Sequence, residues 1–325
     1  MRLKNIVGAV CGAMALNYCG GPSVQPTPVT QDPVVNCPSD VSVTAHNGQT
    51  PTVSFDTPVA VNGTPPVTVV CTPASGTPFK NGITSVTCEA TDSRAHKASC
   101  SFSVVVTAVP QLVKTTFLAF GDSLTEGKTT LIGPGAVEVP SGIVLFSTSY
   151  VELLYSKLTD RYQDQSIRII AEGVGGQITG EDKFRLADVL TQYKPDVLLL
   201  LEGTNDMLNF PNQGGIDSAA GALQRMVQDA KARGARVFLA TLPQMIPTGF
   251  RTSPDSAAAV PVLNARIRNI AALENVTLVD IYSAVPSAFV GRDGVHLTAD
   301  GYAVMADEWL KAIIATMEVK TSTLQ

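Results

Sequence analysis

From Lys114 onward, short apolar runs alternate with longer amphipathic stretches, and no other feature restricts the fold as much. The apolar runs fall at 116–120, 166–171, 196–201, 236–241 and 277–281. Helical periodicity fills the stretches at 150–162, 181–193, 216–233, 257–274 and 299–317. Val197-Leu198-Leu199-Leu200-Leu201 is apolar at every position, as a strand covered on both faces must be. Strands separated by helical crossovers pair in parallel, because each crossover returns the chain to the same end of the sheet.

The reading over residues 114–319 is therefore α/β: a flavodoxin-like five-stranded parallel sheet with helices on both faces. Such sheets bind ligands beyond the carboxyl ends of their strands. The first strand ends there in Gly121-Asp122-Ser123-Leu124. A serine hydroxyl is a poor nucleophile without a base. The domain supplies one histidine, His296, since His46 and His96 lie earlier in the chain. Asp293 precedes it by three positions in Arg292-Asp293-Gly294-Val295-His296. One turn can bring that carboxylate to the ring, where it would fix the tautomer and stabilise the imidazolium. Two more strand-end loops, 172–179 with its glycines and Glu202-Gly203-Thr204-Asn205-Asp206, offer hydrogen-bond donors to a tetrahedral intermediate.

Plainer readings exist for each residue. Ser123 could simply cap the following helix. Asp293 before a glycine is common turn chemistry, and Asp122, Glu126 and Asp206 read as turn and cap residues. The glycines after residue 172 suggest a dinucleotide fingerprint, but Ile178 stands where its third glycine belongs. Gly175 competes with Gly176 as the donor of that loop. Neither a Gly-x-Ser-x-Gly elbow nor a His-Glu-x-x-His motif occurs.

Taken together, Gly121-Asp122-Ser123-Leu124, Gly176, Gly203-Thr204-Asn205-Asp206 and Asp293 to His296 resemble the four ordered blocks of the SGNH (GDSL-type) hydrolase family. The resemblance favours Gly176 over Gly175. It implies hydrolysis of carboxylic esters of lipids, carbohydrates or small alcohols. Ser123 would be the nucleophile, His296 the base and Asp293 the orienting acid. The Ser123 and Gly176 N–H groups and the Asn205 amide would form the oxyanion hole. No metal or organic cofactor is implied.

Residues 36–108 change rhythm to short alternating runs broken by Gly, Pro and Asn, the pattern of a small antiparallel sandwich. All six cysteines lie in the first hundred residues. Cys37, Cys71, Cys88 and Cys100 read as two disulfides, and the lack of a Cys-x-x-Cys pair makes zinc the poorer choice. Cys37-Pro38-Ser39-Asp40, Cys71-Thr72-Pro73-Ala74-Ser75-Gly76, Val86-Thr87-Cys88, Ala90-Thr91-Asp92 and Ser99-Cys100-Ser101-Phe102 resemble the hyalin-repeat (HYR) family, an immunoglobulin-like module. Within it we pair Cys37 with Cys100 and Cys71 with Cys88. Such modules serve adhesion or spacing and bring no chemistry of their own.

Arg2 and Lys4 ahead of an apolar run at 6–16 read as a secretory signal over 1–19, too short to span a bilayer. Ala13-Met14-Ala15 fits small-x-small cleavage; Leu16-Asn17-Tyr18-Cys19 resembles a bacterial lipobox with Cys19 lipidated, although Tyr18 replaces the small residue expected there. Residues 20–35 form a Pro/Thr-rich tether. A net charge of -5 with 16% charged residues leaves neither a nucleic-acid footprint nor a polybasic membrane patch. The expectation is an exported monomer, secreted or held in the cell envelope, touching membrane only through a lipid anchor. Segment 128–148 is expected either to pack over the serine and shape the pocket or to form a surface excursion. The other functional class is an envelope adhesion or glycan-binding protein with a vestigial hydrolase domain. Retention of Ser123, Gly176, Asn205, Asp293 and His296 argues against it.

Overall fold

Phe117, Leu118, Ala119 and Phe120 are fully buried in the computed structural model, which describes residues 31–129, 144–145 and 149–319. The leader, Cys19 and most of segment 128–148 lie outside the described residues. The all-β N-terminal unit, up to Ala108, and the α/β C-terminal unit, from Thr116 on, are each taken in turn.

The N-terminal unit is all-β. Its main sheet holds β1 (Val41–Ala45), β2 (Thr68–Thr72), β3 (Gly82–Thr91) and β4 (Lys97–Ala108) in the order β1-β4-β3-β2. Two short two-stranded sheets accompany it, Val34–Val35 with Ala60–Val61 and Thr52–Val53 with Thr77–Pro78. Alternation does the work expected of it: Val86, Cys88 and Ala90 on β3 and Phe102, Val104 and Val106 on β4 point inward. Cys71 and Cys88 are directly opposed across β2 and β3 and are bonded. Cys37 and Cys100 form the second disulfide.

The C-terminal unit is the expected parallel sheet. Its strands are β5 (Thr116–Gly121), β6 (Arg168–Gly173), β7 (Val197–Leu201), β8 (Arg236–Ala240) and β9 (Thr277–Val279), in the order β6-β5-β7-β8-β9. Between them run α1 (Ser123–Glu126), α2 (Tyr150–Arg161), α3 (Thr179–Tyr193), α4 (Thr204–Asn209), α5 (Gln213–Ala232) and α6 (Pro254–Leu273). After β9 come α7 (Ile281–Ala284) and α8 (Ala299–Met317). Helix α2 packs on α8, joined by stacked Tyr150 and Trp309 rings 5.9 Å apart. Helices α3, α5 and α6 pack in series. The α2 crossover from β5 to β6 runs opposite in direction to those carrying α3, α5 and α6, so right-handed connections put α2, with α8 packed on it, and those three helices on opposite faces.

Every residue of β7 is buried. Burying one leucine side chain contributes about 2 kcal/mol, so a central strand of this composition anchors the domain. Strand β6 is an edge and is only half-buried. Edge exposure lets it carry Glu172, and the strand runs to Gly173, two residues past its expected end. The register pairs Gly121 with both Gly173 and Leu201. The chain therefore leaves β5, β6 and β7 at one level, beside the point where strand order reverses. Of segment 128–148, Lys128–Thr129 pairs antiparallel with Val144–Leu145.

Candidate active site

Strand β5 hands over to α1 through Asp122, whose Oδ1 accepts the Leu124 N–H at 2.9 Å. Asp122 is thus the cap and Ser123 the first helical residue, so the capping alternative for Ser123 does not hold. A helix start leaves its first N–H groups without intrahelical partners, and Ser123 owns one of them. Helix α1 sits directly on the end of β6. A Cβ at Gly173 would fall 2.1 Å from Glu126 N, so only glycine permits that approach.

His296 lies in the turn before α8, tied by the Val290–Leu297 bridge and by Gly291 N–H to His296 O at 2.7 Å. Its Nε2 is 2.8 Å from Ser123 Oγ. Its Nδ1 bonds Asp293 Oδ2. An ionised carboxylate only accepts, so Nδ1 carries the proton and Nε2 is left basic toward the serine. Asp293 Oδ1 accepts the Val295 and His296 N–H groups, both at 3.0 Å, which clamps the carboxylate in place. Burial pushes the Asp293 carboxyl up, but the imidazole and these two N–H groups outweigh it and hold it below the ordinary value. All three side chains are buried.

Asn205 is the second residue of α4, and its Nδ2 donates to Gln177 O at 2.8 Å. An amide nitrogen has two N–H groups, so that bond orients the side chain and leaves one donor. Gly176 has φ 87, a backbone conformation open to glycine and costly for other residues. The neighbouring Gly175 N–H is already taken by Glu126 Oε2 at 2.9 Å. Ser123, Gly176, Asn205 and His296 line one cavity of about 160 Å³, with Leu208, Val295 and Arg251 completing its wall. A wider cavity of about 470 Å³ lies at the opposite, amino edge of the sheet, beside Arg236 and Thr277, and is lined by neither Ser123 nor His296.

Behind the serine turn lies a set of buried acids that the sequence did not announce. Asp122, Asp182 and Glu202 are almost wholly inaccessible. Burial pushes the Asp122 carboxyl up to about 6. Burial, then the charges of Asp122 and Asp182, raise Glu202 well above its ordinary value. Asp206 is also raised by burial, although it accepts the Thr179 N–H at 3.0 Å and the Thr179 hydroxyl at 2.7 Å. Asp206 thus ties α4 to the start of α3. Among the described residues no group of three His, Cys, Asp or Glu side chains could hold a metal ion.

Residues 119–304 match the GDSL-like lipase/acylhydrolase family. The chain belongs to that family. Residues 29–106 match the HYR domain family, so the two modules stand in the order the sequence implied. A multidomain esterase of Ruminococcus flavefaciens is 28% identical over 185 residues, which are 56% of this chain and 23% of that protein. The chain thus spans under a quarter of the length of this relative. Among solved structures, a mutant of the acetyl-xylooligosaccharide esterase Axe2 from Geobacillus superposes with a TM-score of 0.50 at 23% identity, covering 62% of this chain and 96% of its own. The α/β hydrolase LAE5 from the metagenome of Lake Arreo, Spain, gives 0.50 at 21%, covering 62% and 95%. At these identities the likeness establishes the fold.

Within this GDSL-type domain, residues 172–206 hold more than the glycines and Asn205. Arg185 on α3 reaches back to the ends of β5 and β6, and Glu202 is buried beneath the Asn205 turn. An Asp182–Arg185 pair three apart on a helix looks like an ordinary surface pair. Its one unusual sign was position, nine residues after Gly176.

Proposed function

We propose that the protein is an exported serine esterase in which Ser123, His296 and Asp293 form a catalytic triad. The observation that carries this reading is the continuous bond path from Ser123 Oγ through both His296 nitrogens to Asp293, at the carboxyl edge of the sheet. Ser123 Oγ attacks the ester carbonyl carbon while His296 Nε2 takes its proton. The carbonyl oxygen becomes an oxyanion and receives the N–H groups of Ser123 and Gly176 and the Asn205 amide. Collapse breaks the bond to the alcohol, which leaves with the proton from Nε2, and an acyl-Ser123 ester remains. Water attacks that ester, again giving a proton to Nε2; the acid departs and Oγ recovers its proton. Asp293 stays ionised throughout and stabilises the imidazolium.

A cavity of about 160 Å³ is small beside the roughly 300–1,000 Å³ of sites for drug-sized ligands. It suits a short acyl group, with the alcohol part left outside. Acetyl and other short acyl esters of carbohydrates or small alcohols are the favoured class, and likeness to a multidomain esterase supports an ester substrate. The two disulfides fit an oxidising compartment, which supports export. Residues 36–108 then serve as a spacer, and 114–319 as the catalytic domain, with 1–19 and 20–35 as leader and tether. Among the described residues no helix is long and apolar enough to cross a membrane. The test pairs a panel of p-nitrophenyl esters with fluorophosphonate labelling of the purified protein. Fastest turnover of acetyl to butyryl esters and an adduct on Ser123 are expected; no ester hydrolysis across the panel would instead favour a binding module.

A further inference from the structure

The oxyanion hole takes its two backbone donors from different strands' exits. Ser123 follows β5 and Gly176 follows β6, and both N–H groups must converge on one oxygen within a few tenths of an ångström. Strand pairing ends at Gly121 and Gly173, before either donor is reached. The spacing of the two exits is therefore set by how the last rungs of that ladder are held.

Arg185 braces the end of that ladder. Its Nη2 donates to Gly121 O at 3.2 Å, the last carbonyl of β5. Its Nη1 donates to Glu172 O at 3.1 Å on β6. The guanidinium lies over the Phe120 ring, 4.0 Å from its centroid. Nε and Nη2 close a bidentate pair with Asp182, both bonds at 2.8 Å. Asp182 is fully buried and the arginine side chain is only 22% exposed, so this is no solvated helix pair of negligible worth. Gly121 O also accepts the Val174 N–H at 3.0 Å, so one carbonyl oxygen joins both exits. The fork geometry of a guanidinium meets two carbonyls and a carboxylate at once; an ammonium cannot.

We propose that Arg185 is a positioning residue of the oxyanion hole: its guanidinium clamps the exits of β5 and β6 and thereby sets the distance between the Ser123 and Gly176 donors. This rests on the esterase reading above. It acts on the transition state and leaves ground-state binding alone, because Gly121, Glu172 and Arg185 do not line the cavity. A misplacement on the order of 1 Å at such a site costs about a hundredfold in rate.

The test compares wild type, Arg185→Lys and Arg185→Ala as full chains, with p-nitrophenyl acetate as substrate and butylboronic acid as a tetrahedral oxyanion mimic. Folding is followed by circular dichroism. Arg185→Lys is expected to lose about a hundredfold in kcat with KM within about twofold, and to bind the boronic acid correspondingly more weakly. Added guanidinium ion should restore Arg185→Ala by about tenfold, which recovery of general stability cannot imitate. A kcat for Arg185→Lys within about threefold of wild type overturns the inference, as does a kcat loss that leaves boronic acid affinity intact. If neither arginine variant folds, Asp182→Asn, which releases the far end of the clamp, must lower kcat at constant KM, and an unchanged kcat overturns it. Activity surviving Ser123→Ala sinks the esterase reading itself. Abolished activity there with an unaffected Arg185→Lys sinks this inference alone.

Discussion

His296 Nε2 and Ser123 Oγ, 173 residues apart in the chain, stand 2.8 Å from each other at the carboxyl edge of the sheet. Strand β5 delivers the serine, the turn before α8 delivers the histidine, and Asp293 fixes the ring between them. The esterase account rests on that contact, and the following outcomes depend on it.

Asp293→Asn should leave the fold intact and lower kcat by roughly 10⁴, because an amide lets the ring adopt the wrong tautomer. The carboxyl lies below its ordinary value in the folded state. The stability it contributes is therefore complete above the unfolded value, 3.8, and is lost as pH falls through the folded one. Thermal unfolding between pH 6 and pH 2 should show the wild-type advantage over Asp293→Asn shrinking toward the acid end. An advantage that grows on acidification contradicts the assignment.

Asp122 behaves in the opposite sense. Burial raises it from 3.8 to about 6 when folded, so its contribution is full below 3.8 and disappears as pH rises through about 6. The swing is on the order of 3 kcal/mol, at about 1.4 kcal/mol per unit. Asparagine caps a helix as well as aspartate does, which isolates the charge. The Tm of Asp122→Asn relative to wild type should rise between pH 4 and pH 8; a flat difference places the buried proton elsewhere.

Asn205→Ala removes one donor to the oxyanion. Its kcat should fall by about 10²–10³ with little change in KM. Steady-state kinetics with p-nitrophenyl acetate separate the two parameters. A raised KM at unchanged kcat means the amide binds substrate and takes no part in transition-state stabilisation.

Opening Cys37–Cys100, which closes a separation of 63 residues, should cost the N-terminal unit about 4 kcal/mol, against about 3 kcal/mol for Cys71–Cys88 across 17. Paired serine substitutions followed by denaturant titration give the order. Esterase kcat should be the same in both variants, since the catalytic domain contains no cysteine.

The sheet was legible because burial on both faces leaves an unbroken apolar run, as in Val197 to Leu201, and each long helix carries its own period. Helices α1 and α4 escaped because four and six residues are too few to show a 3.6-residue repeat. Those two helices present Ser123 and Asn205, so the candidate site was read from its chemistry and its spacing along strand ends. Helix α6 begins at Pro254, ahead of the expected residue 257, because Ser253 caps it and proline suits a first helical position. Arg185, Asp182 and Glu202 could not be read at all. Their meaning lies in burial and in bonds to backbone carbonyls 13 and 64 residues away, which no local pattern encodes.

Hydrolysis of p-nitrophenyl acetate by purified wild type and Ser123→Ala is the most direct test of the account. The account predicts that the wild type turns the ester over and that the folded variant retains no more than about one part in 10⁴ of its kcat. A folded Ser123→Ala protein that hydrolyses the ester within about tenfold of wild type contradicts it, because the attacking oxygen then comes from somewhere else.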